Sequence, residues 1–126
     1  EAMARDLEVT VEEMGTLALK SDKKIPMNAQ CVIFAESEVV GLIHAKTEKQ
    51  DISKAIHDAM ASHIVTMISR VGVSEDVAML GGVGYNPGFV EAMKLELKVE
   101  KLYIPDAPEF GAAVGSAVVA AEEAQK

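Results

Sequence analysis

The sequence predicts an α/β fold in which a parallel strand–helix–strand–helix unit follows a helical insertion. Three observations carry that prediction. Apolar residues before Gly72 recur at helical spacing, and beyond it short apolar runs alternate with helical ones. Between the first strand and the helix after it stands Gly81-Gly82-Val83-Gly84-Tyr85-Asn86, directly ahead of Pro87. Short connections then place the two strands parallel, with helices on a face.

The elements follow in order. Met3 and Leu7 share one face of an opening helix that has no capping residue ahead of Glu1. That start reads as a piece of a longer chain. Thr10 and Glu13 form a capping box for a second helix ending near Lys20, and Ser21 to Met27 is a polar connection. A third helix is expected from about Ala29 to Ala45, capped by Asn28. Its Ile33, Phe34, Val40, Leu42 and Ile43 nearly surround it and predict burial. The longest helix starts at Asp51 or Ser53. Ile52, Ile56, Met60, Ile64, Met67, Ile68 and Val71 form its stripe, and Gly72 suits the position past its end.

Val77–Leu80 reads as a buried strand, Pro87–Leu97 as a helix with proline at its first position, and Lys101–Ile104 as the second strand. A last helix from about Glu109 to Ala124 turns Phe110, Ala113, Val114, Ala117, Val118 and Ala121 inward. Its Gly111 and Gly115 allow close approach of a backbone or ligand, or plain packing on the sheet. There is no internal repeat or low-complexity tract. One lobe results, with a helical segment over 1–72 and an α/β segment over 73–126.

Of the 126 residues 49% are hydrophobic and only 4% aromatic, so the core is aliphatic, with seven methionines. No run reaches the roughly 18 apolar residues that span a bilayer. The acidic, amphipathic start does not read as a secretory leader, and none is expected. A net charge of −8 opposes binding to a phosphate backbone. The single cysteine excludes an intrachain disulfide and fits a reducing compartment. The expectation is a soluble cytoplasmic protein that binds neither nucleic acid nor membrane.

Paired glycines at a strand end let a ligand lie against bare main chain, and the helix opening at Pro87 points unpaired amides toward the same gap. Gly81, Gly82, Val83 and Asn86 are therefore candidate nucleotide-binding residues. A tight turn needing small residues is the plainer alternative. Gly82-x-Gly84 with Gly88 and Asp106 approaches the dinucleotide fingerprint, but the third glycine is one place late and Pro87 occupies the helix start. Cys31, in the first turn of the third helix, is a candidate metal ligand, because amides and dipole there favour negative charge. One cysteine cannot complete a four-thiolate site, and a buried apolar role is the alternative. Glu36 and Glu38, two apart, face different directions. His44, His57 and His63 lack ligand spacing and are expected at the helix surface or half-buried. No Ser/His/Asp set, P-loop or kinase signature supplies catalytic residues.

The stretches MNAQCVIFAESEVVGLI, GGVGYN and IPDAPEFGAAVGSAVVAA resemble the activator ATPases of 2-hydroxyacyl-CoA dehydratases and the ATP-hydrolysing subunits of benzoyl-CoA reductase. These belong to the acetate/sugar kinase, Hsp70 and actin superfamily. The resemblance covers essentially the whole chain and implies the C-terminal half of an actin-like (RNase H-like) ATPase. It implies a homodimer or paralogous heterodimer sharing one [4Fe-4S] cluster, with two cysteines from each subunit. Cys31 matches the second of the pair; the first, and the two aspartate-bearing loops that handle Mg-ATP phosphates, would precede Glu1. Gly81 and Gly82 match the motif contacting the adenosine end of ATP or ADP. The implied function is ATP-driven delivery of a low-potential electron, from a ferredoxin-type donor, to an acyl-CoA reductase or dehydratase component. ATP binding would change the angle between the cluster-bearing helices. A kinase-like member of the superfamily and a non-catalytic dimerisation module are the other readings; the Cys31 segment speaks against the kinase. Whether the system is a benzoyl-CoA reductase or a dehydratase stays open, because the acyl-CoA site lies on a partner.

Overall fold

Thr10 Oγ1 accepts from Glu13 N at 3.1 Å and Glu13 Oε2 accepts from Thr10 N at 2.8 Å, so the second helix starts on a complete capping box. In the computed structural model, residues 1–28, 31–74 and 76–125 are described, Val32 by its backbone alone. Four helices, α1 (Ala2–Asp6), α2 (Val11–Ala18), α3 (Val32–His44) and α4 (Lys49–Ile68), come first. Then β1 (Val77–Ala78), α5 (Pro87–Leu97), β2 (Leu102–Tyr103) and α6 (Gly111–Ala124) alternate. β1 and β2 pair in parallel, Val77 opposite Leu102 and Ala78 opposite Tyr103, and α5 makes the crossover. The α/β class with a preceding helical segment is as the sequence predicts.

α4 is the spine. Its Ile52 and Ile56 join Ala4, Leu7, Met14 and Val39 in one apolar cluster. Further along, its Ala61 meets Phe89, Ala92, Met93 and Leu102 in a second. Each large aliphatic side chain removed from water there contributes about 1.5–3 kcal/mol. α2 and α5 both lie on α4 and touch each other. Their approach is set by glycine, since a Cβ at Gly88 would stand 2.5 Å from the Gly15 carbonyl and 2.9 Å from Ala18 Cβ. α5 runs from Pro87 to a left-handed Lys98, where Val99 N closes on Lys94 O at 3.2 Å.

Several boundaries and burials differ from the sequence-based expectation. α4 starts at Lys49 on Glu48, whose carbonyl accepts from Asp51 N and Ile52 N. The Asp51 side chain is not a cap because it turns inward, accepting from Lys23 Nζ at 2.6 Å and Ser21 Oγ at 2.7 Å. Those two bonds, Lys23 first, hold its carboxyl below the usual range against the opposing effect of burial. α4 ends at Ile68, and Gly72, at φ +92°, closes the following turn with its N–H on Ile68 O. Only the front of its stripe is buried; Met60, Met67 and Val71 are exposed.

The expected start of α3 at Ala29 lies outside the described residues. Its cap is Cys31, not Asn28, whose N–H donates to Glu38 Oε2 at 2.9 Å. α3 is also far more exposed than predicted: Ala35 and Val39 are buried, but Ile33, Val40 and Phe34 (62% exposed) are not. The strands are two residues each, and Leu80 faces solvent. None of the side chains expected inward from α6 is buried: Val114 is 60% exposed. Gly111 packs on Leu80, a Cβ there lying 3.0 Å from both Leu80 methyls, whereas Gly115 faces open space. An apolar periodicity reports a face that gains by being covered; it does not supply the cover.

Candidate functional site

The two loops leaving the carboxyl ends of β1 and β2 abut, which in open parallel sheets is where ligands bind. The first holds Gly81, at φ +102° and ψ 159°, then a 3-10 turn over Gly82–Tyr85 and the α5 cap Asn86. The second holds a 3-10 turn over Pro108–Phe110 ahead of α6. Gly81 N donates to Pro108 O at 2.7 Å, and Gly84 N returns to Gly81 O at 2.9 Å. A Cβ at Gly84 would meet Ile104 and Pro108 at 3.2–3.3 Å. Tyr85 OH donates to Glu109 Oε2 at 2.6 Å, and this carboxylate pushes the phenol above its ordinary range. The loops are thus pinned together from below.

Above the pin lies open main chain. A Cβ at Gly81 or Gly82 would meet nothing within 4 Å, and Val83 is exposed beside them. Of this pair only Gly81 needs the left-handed region; Gly82 is glycine without conformational necessity. Asn86 behaves differently. Its Oδ1 accepts from Phe89 N at 3.0 Å, and the side chain is turned into the protein against α2.

Gly81, Gly82, Val83 and Asn86 therefore share one loop, while Cys31 is separate, half-buried at the head of α3. Its carbonyl accepts from Ala35 N at 3.0 Å, but its thiol makes no capping bond. An apolar pocket of about 210 Å3, lined by Ala35, Ile56, Met60 and His63 among others, lies between α3 and α4. Among the described residues no three His, Cys, Asp or Glu side chains converge as a metal site, and no helix is long and apolar enough to cross a membrane.

His57 was expected at the surface or half-buried, and the structure buries it to 2% exposure. Burial pushes its imidazole below the ordinary value, against bonds to the Ser53 carbonyl and the Asn86 amide that act the other way. Its place could have been read from Ser53, His57 and Ala61, four apart on the side of α4 where all three are buried.

The model of the BadF/BadG/BcrA/BcrD ATPase family matches residues 1–120. The chain belongs to this family. Its fold matches part of the actin-like fold of two solved activator ATPases. The chain superposes on component A of the (R)-2-hydroxyglutaryl-CoA dehydratase of Acidaminococcus fermentans with a TM-score of 0.92 at 36% identity, covering 99% of this chain and 48% of that one. On the activator of the 2-hydroxyisocaproyl-CoA dehydratase of Clostridium difficile, solved with bound ADPNP, the TM-score is 0.88 at 35% identity, covering 98% and 46%. A benzoyl-CoA reductase subunit of Thauera aromatica is 26% identical over 124 residues, 94% of this chain and 44% of that protein. The chain spans about half the length of these relatives.

Proposed function

We propose that this chain supplies the adenosine side of a nucleotide site, and one cluster-ligating cysteine, to an ATP-driven electron-transfer component that serves an acyl-CoA dehydratase or reductase. The observation that carries the nucleotide reading is the pair of open glycines, Gly81 and Gly82, at the carboxyl end of a parallel strand. A relative solved with bound ADPNP supports it. The nearby Glu109 carboxylate favours a neutral nucleoside over phosphates, since it accepts hydrogen bonds and repels anions. Phosphate handling then falls to residues outside this chain. Gly81, Gly82 and Val83 give the contact surface, and Asn86 fixes the loop to α5.

Cys31 fits one corner of a [4Fe-4S] cluster shared by two subunits. Its thiol is not used as a cap, it heads a helix whose first amides favour negative charge, and the chain offers no second thiolate. The cluster, when bound, stores and releases one electron at low potential. Residues 1–72 thus carry the cluster side and 73–126 the adenosine side. Between them run two packed interfaces, α5 on α4 and α4 on α3, through which a change at the loop reaches Cys31. A second subunit, a ferredoxin-type donor and an acyl-CoA dehydratase or reductase component are the partners this reading requires, with Mg-ATP as its energy source. Names of relatives of both kinds leave the acyl-CoA open.

Anaerobic purification of the intact protein, followed by iron and sulfide analysis and ADP titration, tests both halves together. Iron with sulfide, plus saturable ADP binding, is expected. Absence of either removes the corresponding half.

A further inference from the structure

The loop after β2 brings one carboxylate to the glycine loop. Pro108 O accepts from Gly81 N at 2.7 Å, and Glu109 is the next residue, so its side chain leaves the main chain one position from that bond. Tyr85 ends the turn that Gly82 begins and reaches across to it. Its OH donates to Glu109 Oε2 at 2.6 Å and lies 3.4 Å from the Asp106 carbonyl oxygen. The two side chains bridge the loop that carries Gly81 and Gly82 to the loop that leads into α6.

An exposed glutamate ordinarily turns freely in water or pairs with a lysine. Glu109 does neither. The phenol fixes its Oε2, the buried Pro108 anchors the chain beside it, and no Lys or Arg pairs with it among the described residues. A carboxylate only accepts, and its two oxygens offer about four lone-pair sites, of which Tyr85 uses one. A ligand that satisfies the others brings donors, and one that brings an anion is repelled. Within a nucleoside the choice falls on the sugar. The exocyclic amine of adenine stands beside the ring acceptor N7, so a carboxylate that reaches it meets a lone pair. The ribose 2′ and 3′ hydroxyls are vicinal, and both can turn a proton toward the same carboxylate.

We propose that Glu109, oriented by Tyr85, is a specificity-determining residue of the nucleotide site, its carboxylate accepting from the ribose hydroxyls and selecting ribonucleotides over deoxyribonucleotides. The proposal rests on the nucleotide reading above and names the part of the ligand that the second loop reads. Gly81 and Gly82 then supply contact area, and Glu109 the directional bond.

Calorimetric titration of the intact protein with ADP, 2′-deoxy-ADP, 3′-deoxy-ADP and IDP tests this. Wild type is expected to bind at least one deoxy ligand about tenfold more weakly than ADP, as for loss of one hydrogen bond to a charged acceptor. The ratio of the two affinities is the quantity to read, because repulsion between Glu109 and the phosphates cancels in it. In Glu109→Ala the ratio is expected to fall to about one. In Tyr85→Phe, which frees the carboxylate to turn, about threefold is expected. Wild type binding both deoxy ligands within about twofold of ADP overturns the proposal, and so does a tenfold ratio kept in Glu109→Ala. An unchanged ratio in Tyr85→Phe overturns the orienting role of Tyr85. Weak binding of IDP alone, with both deoxy ligands bound like ADP, moves the contact to the base and also overturns it. The wild-type comparison varies only the ligand, so it decides the matter even where a variant does not fold. A wild type that binds no ADP refutes the nucleotide reading and this inference with it, whereas ADP binding without discrimination refutes this inference alone.

Discussion

Gly82→Val should separate ligand binding from folding at a position where a glycine change would ordinarily confound them. Nothing lies within 4 Å of a Cβ at Gly82, and its backbone is outside the left-handed region. A valine there costs the fold no more than about 0.5 kcal/mol, as for other surface changes free of strain. The bound ligand pays instead: three added carbons stand where a nucleotide would touch main chain. Forcing that overlap costs about 1–3 kcal/mol, which is roughly 5- to 150-fold in ADP affinity. The contrast is Gly81→Ala. At φ +102° it takes a conformation that costs a side chain about 1–3 kcal/mol, and Gly81 N must still reach Pro108 O. Calorimetric titration with ADP and thermal melts of both variants give the answer. Gly82→Val is expected to melt like wild type and bind poorly, and Gly81→Ala to melt lower. Undiminished ADP affinity in Gly82→Val would refute the assignment of the glycine loop, and a large drop in its melting temperature would refute the claim of open space.

Gly88→Ala should destabilise by about 1–2 kcal/mol, because crowding against the Gly15 carbonyl and Ala18 outweighs alanine's better helix propensity; a raised denaturation midpoint would show that α2 and α5 are not in close contact. Thr10→Ala loses the Glu13 N–H acceptor and should cost about 1 kcal/mol in the same assay, whereas a neutral result would deny the capping box a role. The native state holds His57 below its ordinary value of 6.5, so it binds fewer protons than the unfolded chain. Stability should therefore be unaffected by this group above that pH, decline as pH falls from 6.5 toward the folded value, and level off below it. Denaturant unfolding across that window should show the slope in wild type and its loss in His57→Gln; identical slopes would remove His57 as the cause.

What the sequence made legible was local. Pro87 marks the start of α5, Thr10 and Glu13 the start of α2, and Gly81-Gly82 the loop at the strand end, because each depends on a few neighbouring residues. Burial was harder. α3 and α6 are apolar on several faces, yet Phe34 and Val114 stay exposed, since a face is buried only when another element reaches it. Asp51 reads as a cap from its spacing, but a lysine and a serine nearly thirty residues earlier claim its carboxylate. Gly88, suggestive of a dinucleotide fingerprint, is a helix–helix contact. Gly15 carried no local signal of its close approach to Asn86, because that approach is tertiary. Of the candidate site, the loop residues lie together as their spacing implies, and Cys31 is at a helix head, one position outside the first turn where it was expected.

In the proposed function Cys31 holds a cluster shared between subunits while the nucleotide site lies on another part of the lobe. Cys31→Ala in the intact protein, reconstituted anaerobically with iron and sulfide beside wild type, tests it by iron per dimer, visible absorbance and ADP affinity. About four irons per wild-type dimer, none held as a cluster in the variant, and ADP binding equal in both are expected. Equal iron in the two proteins, with only a stability loss of about 1 kcal/mol in the variant, would contradict it and return Cys31 to a packing role.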